Sequence, residues 1–163
     1  APPAVQSIWA RSGQPWSSAE WALRWLWSLP EVVTILSGMG QLSELRENAQ
    51  VAAHATPLLP SELALVEEAK RYFRAKIAVP CTTCGYCQPC PKGVAIPEAF
   101  SAWNSATMFE SKAGPAWAYD TFQVKNNIGA DQCIECGDCE PKCPQHIQIP
   151  QQLRAAHQFL TTR

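Results

Sequence analysis

Two runs of four cysteines, each closed by Cys-Pro, constrain this 163-residue chain more than any other feature. They are Cys81, Cys84, Cys87, Cys90-Pro91 and Cys133, Cys136, Cys139, Cys143-Pro144. Three cysteines spaced three apart turn a backbone around one object and offer it successive thiolates. The second run has the Cys-x2-Cys-x2-Cys-x3-Cys-Pro spacing of bacterial [4Fe-4S] ligation. The first is one residue shorter before its last cysteine.

Other uses of eight cysteines fit less well. Four disulfides in an exported protein do not need tandem cysteines three apart, and neighbours so close pair poorly. Two structural zinc sites also use four thiolates each, but such sites usually draw ligand pairs from separated knuckles rather than three ligands from one loop. In two-cluster ferredoxins the cysteine before proline serves the other cluster. That rule assigns Cys81, Cys84, Cys87 and Cys143 to one [4Fe-4S] cluster and Cys133, Cys136, Cys139 and Cys90 to a second. No cysteine remains as a catalytic nucleophile. His54, His146 and His157 are read as helix or loop residues, and Lys92 and Lys142 as exposed lysines near the clusters.

A pseudo-repeat continues past the cysteines. Cys90-Pro91-Lys92-Gly93-Val94-Ala95-Ile96-Pro97 parallels Cys143-Pro144-Gln145-His146-Ile147-Gln148-Ile149-Pro150, and in each a helix is expected to follow. The 42 residues between Cys90 and Cys133 exceed what a compact two-cluster ferredoxin uses. The expectation for this half is helical, with Trp103, Trp117, Tyr119 and Phe122 packing between its helices. Gly85 and Gly137 follow the second cysteine of each run, where a side chain is expected to crowd the cofactor.

Ahead of the cysteines, a short helix is expected over Pro2–Arg11. Ser17 and Glu20 form a capping box opening a helix to Leu29, which Pro30 ends. Val32-Val33-Thr34-Ile35-Leu36 is apolar without alternation, the pattern of a strand buried on both faces. Ser37-Gly38-Met39-Gly40 turns the chain into a helix over Gln41–Ala55. A linker at Thr56–Pro60 precedes a helix capped by Ser61. The division expected is 1–57 and 58–163.

The formal charge of −1, from 13 basic and 14 acidic residues, gives no global field for nucleic acid or anionic lipid. No apolar run is long enough to span a membrane. Free thiolates and oxygen-sensitive clusters point to a reducing cytoplasm. With Ala1 in place of methionine, the chain is expected to be a processed product or a piece of something longer.

The stretch Trp16-Ser17-Ser18-Ala19-Glu20-Trp21-Ala22-Leu23-Arg24-Trp25-Leu26-Trp27, with Pro30-Glu31-Val32, Leu36-Ser37-Gly38-Met39 and Leu45-Arg46-Glu47-Asn48, resembles the end of an aldo/keto reductase barrel. The cysteine region resembles the ferredoxin-like extension of members that carry one, whose first run is compressed in the same way. The resemblance implies a mainly α chain: a helical two-cluster domain preceded by the final helix-strand-helix portion of a (β/α)8 barrel. Residues 32–36 would then be the eighth strand, followed by a phosphate-binding turn. Ser37, Gly38, Met39, Gln41, Glu47 and Asn48 become candidate contacts to NADP(H), but only within a complete barrel. The family's Asp, Tyr, Lys and His tetrad has no counterpart here, so hydride transfer by this chain alone is not expected. The implied partner is the missing barrel portion or another redox protein. A stand-alone ferredoxin-like carrier or small subunit and a non-redox zinc-binding protein are the alternatives.

Overall fold

The computed structural model describes residues 1–54 and 56–162. Seven α-helices follow one another among them: α1 (Pro3–Ala10), α2 (Ser18–Trp27), α3 (Leu42–His54), α4 (Pro60–Ala75), α5 (Ile96–Met108), α6 (Ala113–Tyr119) and α7 (Ile149–Thr161). A π-helical turn, Asp120–Val124, continues α6, and a 3-10 turn, Ala130–Gln132, precedes the second cysteine run. The chain divides into two compact units, Ala1–Tyr72 and Phe73–Arg163. Among the described residues no helix is long and apolar enough to cross a membrane.

In the first unit α1 buries Val5 and Ile8, and α2 buries Trp21 and Leu23. Trp9 stacks on Trp21 with ring centroids 4.6 Å apart, and Trp16 meets the same ring edge-on at 5.0 Å. Arg24 is buried as well. Its guanidinium lies 4.3 Å from the Trp16 ring centre and 2.8 Å from Glu20, so its charge is paired as it leaves water. The α2 capping expectation holds: Ser17 Oγ accepts the Glu20 N–H at 3.0 Å. At α4 the cap differs from expectation. The Glu62 carboxylate, not Ser61, accepts the Leu59 N–H at 2.7 Å.

The buried strand expected over Val32–Leu36 does not form, and no strand occurs among the described residues. Val33 and Leu36 are 95% and 97% exposed. A strand exists by pairing its N–H and C=O groups with neighbours. None is placed beside this segment, so its apolar pattern alone cannot make it one. The end of the expected helix at Ala55 lies outside the described residues; α3 reaches His54.

The second unit is organised around α5 and α7, each begun by Ile-Pro. Proline suits the first helical turn because its missing N–H would have had no partner there. Ile96, Ala99, Phe100 and Ala106 of α5 meet Ile149, Leu153, Ala156 and Leu160 of α7 in one buried cluster. Val79, Val94, Tyr119, Ala130 and Ile147 complete it. The two cysteine loops lie against this core, and six of their eight cysteines pack on it.

Candidate metal centre

The loops repeat each other in backbone as well as sequence. Thr83 and Glu135 have φ of 55° and 58°, Gly85 and Gly137 of 78° and 82°, and Gly93 and His146 of 71° and 51°. Gln88 N–H donates to the Gly85 carbonyl at 2.9 Å, and Glu140 N–H to the Gly137 carbonyl at 3.0 Å. After each Cys-Pro the chain turns again, through Gly93 N–H to Cys90 at 2.9 Å and His146 N–H to Cys143 at 3.0 Å. Left-handed backbone accounts for glycine at 85 and 137, since an added Cβ would meet no protein atom within 4 Å at either.

The two loops enclose two hollows. One is lined by Cys81, Cys84, Cys87 and Cys143, with Phe100, Ile147 and Ile149 among its apolar neighbours. The other is lined by Cys90, Cys133, Cys136 and Cys139, with Ile96 and Leu153; Cys87 borders it too. Each hollow thus gathers three cysteines from one run and the pre-proline cysteine of the other. All eight thiols are free of disulfides; Cys84 and Cys136 are exposed and the other six half-buried.

Electrostatics follows this grouping at Cys81 and Cys87 and crosses it at Cys139, where Cys87 contributes as well. Burial pushes the Cys81 and Cys87 thiols up, and negative charge on Cys84 and Cys143 would add to the rise at both. Burial pushes Cys139 up to about 11, with Cys133 and Cys136 adding to it. Thiols so placed give up protons readily only to a positive centre that offsets their mutual repulsion. Yet no group of three or more His, Cys, Asp or Glu among the described residues is placed to hold a single metal ion. The four sulfurs of a zinc site converge to about 2.3 Å from one point. Here each hollow is lined by three cysteines from one loop and the pre-proline cysteine of the other. Eight thiols in two such hollows fit a polynuclear iron-sulfur group better than a lone ion.

Two side chains that sequence reasoning passed over or treated as packing set where each run begins. Asn104 of α5 accepts the Ala78 and Val79 N–H groups through Oδ1, both at 3.0 Å, and donates through Nδ2 to the Val79 carbonyl at 2.8 Å. This fixes the approach to Cys81. Tyr119 is wholly buried, and burial pushes its phenol up to about 12, so it keeps its proton. Its hydroxyl lies 2.9 Å from His157 Nδ1 and accepts the Ala130 N–H at 2.9 Å. That contact holds the turn leading to Cys133. No local pattern marks either residue, because each partner lies more than ten positions away.

Residues 80–147 match the family model for the 4Fe-4S dicluster domain. The matched segment contains all eight cysteines. No curated protein and no solved structure matched the chain.

Other expected residues fall as follows. His146 is exposed in its left-handed turn, and Lys142 is exposed at the rim of the Cys133 hollow. Trp103 packs on Phe159, but Trp117 and Phe122 are 62% and 59% exposed and face each other edge-on. The packing expectation therefore holds for Trp103 and Tyr119 and fails for the other two. Ser37, Gly38, Met39 and Gln41 are exposed, while Glu47 and Asn48 are half-buried. Asn48 donates to Ser37 Oγ at 3.0 Å, and Glu47 accepts from Ser17.

Proposed function

We propose that this chain is an iron-sulfur electron-transfer module carrying two [4Fe-4S] clusters. Cys81, Cys84, Cys87 and Cys143 hold one, and Cys133, Cys136, Cys139 and Cys90 hold the other. The observation that carries the reading is the exchange of pre-proline cysteines between the two hollows. When bound, each cluster accepts and returns one electron. The chain's own contribution is to orient thiolates, exclude water and present backbone dipoles. Ile96 and Leu153 dry one hollow; Phe100, Ile147 and Ile149 dry the other. The protein-side controls on potential are this burial and hydrogen bonding to sulfur, such as the Thr83 N–H, 3.4 Å from Cys81 Sγ. Cys84 and Cys136 supply one exposed thiol at each centre, the points nearest an external partner.

Anaerobic reconstitution followed by metal and sulfide analysis tests this. About eight iron and eight acid-labile sulfide per chain are expected, with a brown absorbance that bleaches on reduction. About two zinc with no sulfide would instead assign the thiols to structural sites.

A finer reading attaches the module to an aldo/keto reductase-like oxidoreductase. Its support is the motif resemblance of residues 16–48. The partner is then the barrel portion or another redox protein, and Ser37, Gly38, Met39, Gln41, Glu47 and Asn48 contact NADP(H) only once that barrel surrounds them. Calorimetric titration of this chain with NADPH should show no binding; micromolar binding would contradict the need for a barrel.

A further inference from the structure

We propose that Gln88 is a positioning residue for Cys90, replacing with its side chain the residue that the first cysteine run lacks. Up to Gln88 and Glu140 the two loops close the same turns (Gln88 N–H to Gly85 and Glu140 N–H to Gly137). They then part. In the second run Pro141 and Lys142 separate Glu140 from Cys143, and the Cys143 N–H reaches back three residues to the Glu140 carbonyl at 3.0 Å. In the first run only Pro89 intervenes, so the same three-residue turn cannot place Cys90 opposite the Gln88 carbonyl. The Gln88 amide takes over. Its Oε1 accepts the Cys90 N–H at 2.9 Å, and its Nε2 donates to the Val94 carbonyl at 2.8 Å. The half-buried amide therefore ties down Cys90 from before and, through buried Val94, from after.

Cys90 lines the hollow of Cys133, Cys136 and Cys139. A side chain in the first run thus acts on the centre built mainly by the second. The role rests on the two-cluster reading above and on its crossed assignment.

The test compares reconstituted wild type with Gln88→Ala, Gln88→Met and Gln88→Glu, using Cys90→Ala and Cys143→Ala as references. Helix content by circular dichroism establishes that each variant folds. Gln88→Ala and Gln88→Met should lose about half their iron to an iron chelator roughly tenfold faster than wild type, leaving the other half in place. The EPR spectrum of the reduced remainder should match that of Cys90→Ala, not Cys143→Ala. Gln88→Glu keeps the acceptor for Cys90 and should restore most of the retention. Parallel loss of both clusters, loss matching Cys143→Ala, or a glutamate variant as labile as alanine overturns the proposal. So does a wild-type-like Gln88→Ala on a chain holding about eight iron, which leaves the cluster reading intact. Wild type that takes up no sulfide overturns the cluster reading and the role of Gln88 with it.

Discussion

Asn104 makes three hydrogen bonds to the two residues before Pro80, two through Oδ1 and one through Nδ2. Asn104→Ala leaves the Ala78 and Val79 N–H groups without their acceptor, while the Val79 carbonyl keeps the Cys81 N–H, so a loss of about 1–3 kcal/mol is expected in denaturant unfolding. Tyr119 gives a pH-dependent counterpart. Its phenol titrates near 10 in the unfolded chain and at about 12 in the fold. The proton is therefore held more tightly when folded. This part of the stability is complete below pH 10 and disappears as pH climbs from about 10 to about 12. Tyr119→Phe should start less stable, having lost the Ala130 contact, yet decline less steeply across that interval. Thermal midpoints from pH 9 to 12 for both proteins decide it, and parallel slopes would rule the titration out. The cysteines could be picked out by spacing alone. Asn104, Tyr119 and Gln88 could not, since an amide or phenol acquires such a role only when folding brings a backbone group to it.

At the scale of elements, the Ile-Pro repeat announced α5 and α7. Leu153, Ala156 and Leu160 are all buried as the helical period requires. Leu153 also lines the Cys133 hollow. Leu153→Ala should cost about 2–5 kcal/mol in unfolding and open that hollow to water. If a cluster is bound there, its iron should be lost to chelator faster than that of its twin. The segment 32–36 shows the opposite case. Helices satisfy their own backbone, so a periodic sequence is nearly sufficient for one. A strand depends on neighbours from anywhere in a chain, and a β-branched run specifies willingness rather than pairing.

Over the whole molecule, the core of Phe73–Arg163 contains both cysteine loops and the helices that dry them. A chain cut to residues 73–163 should keep its helical circular dichroism and reconstitute with the same iron and sulfide per chain as the full protein. Loss of either would show that Ala1–Tyr72 is needed to form the centres. The sequence by itself determined the eight thiols, their two groups of three and the proline-started helices, because spacing along a chain is a local property. It determined less about the first 40 residues, where the motif suggested a strand and none forms among the described residues. Tertiary structure brought Cys90 and Cys143 into the hollows that the pre-proline spacing rule had assigned them. It alone decided that the shorter run closes through the Gln88 side chain, since that depends on backbone groups meeting in space.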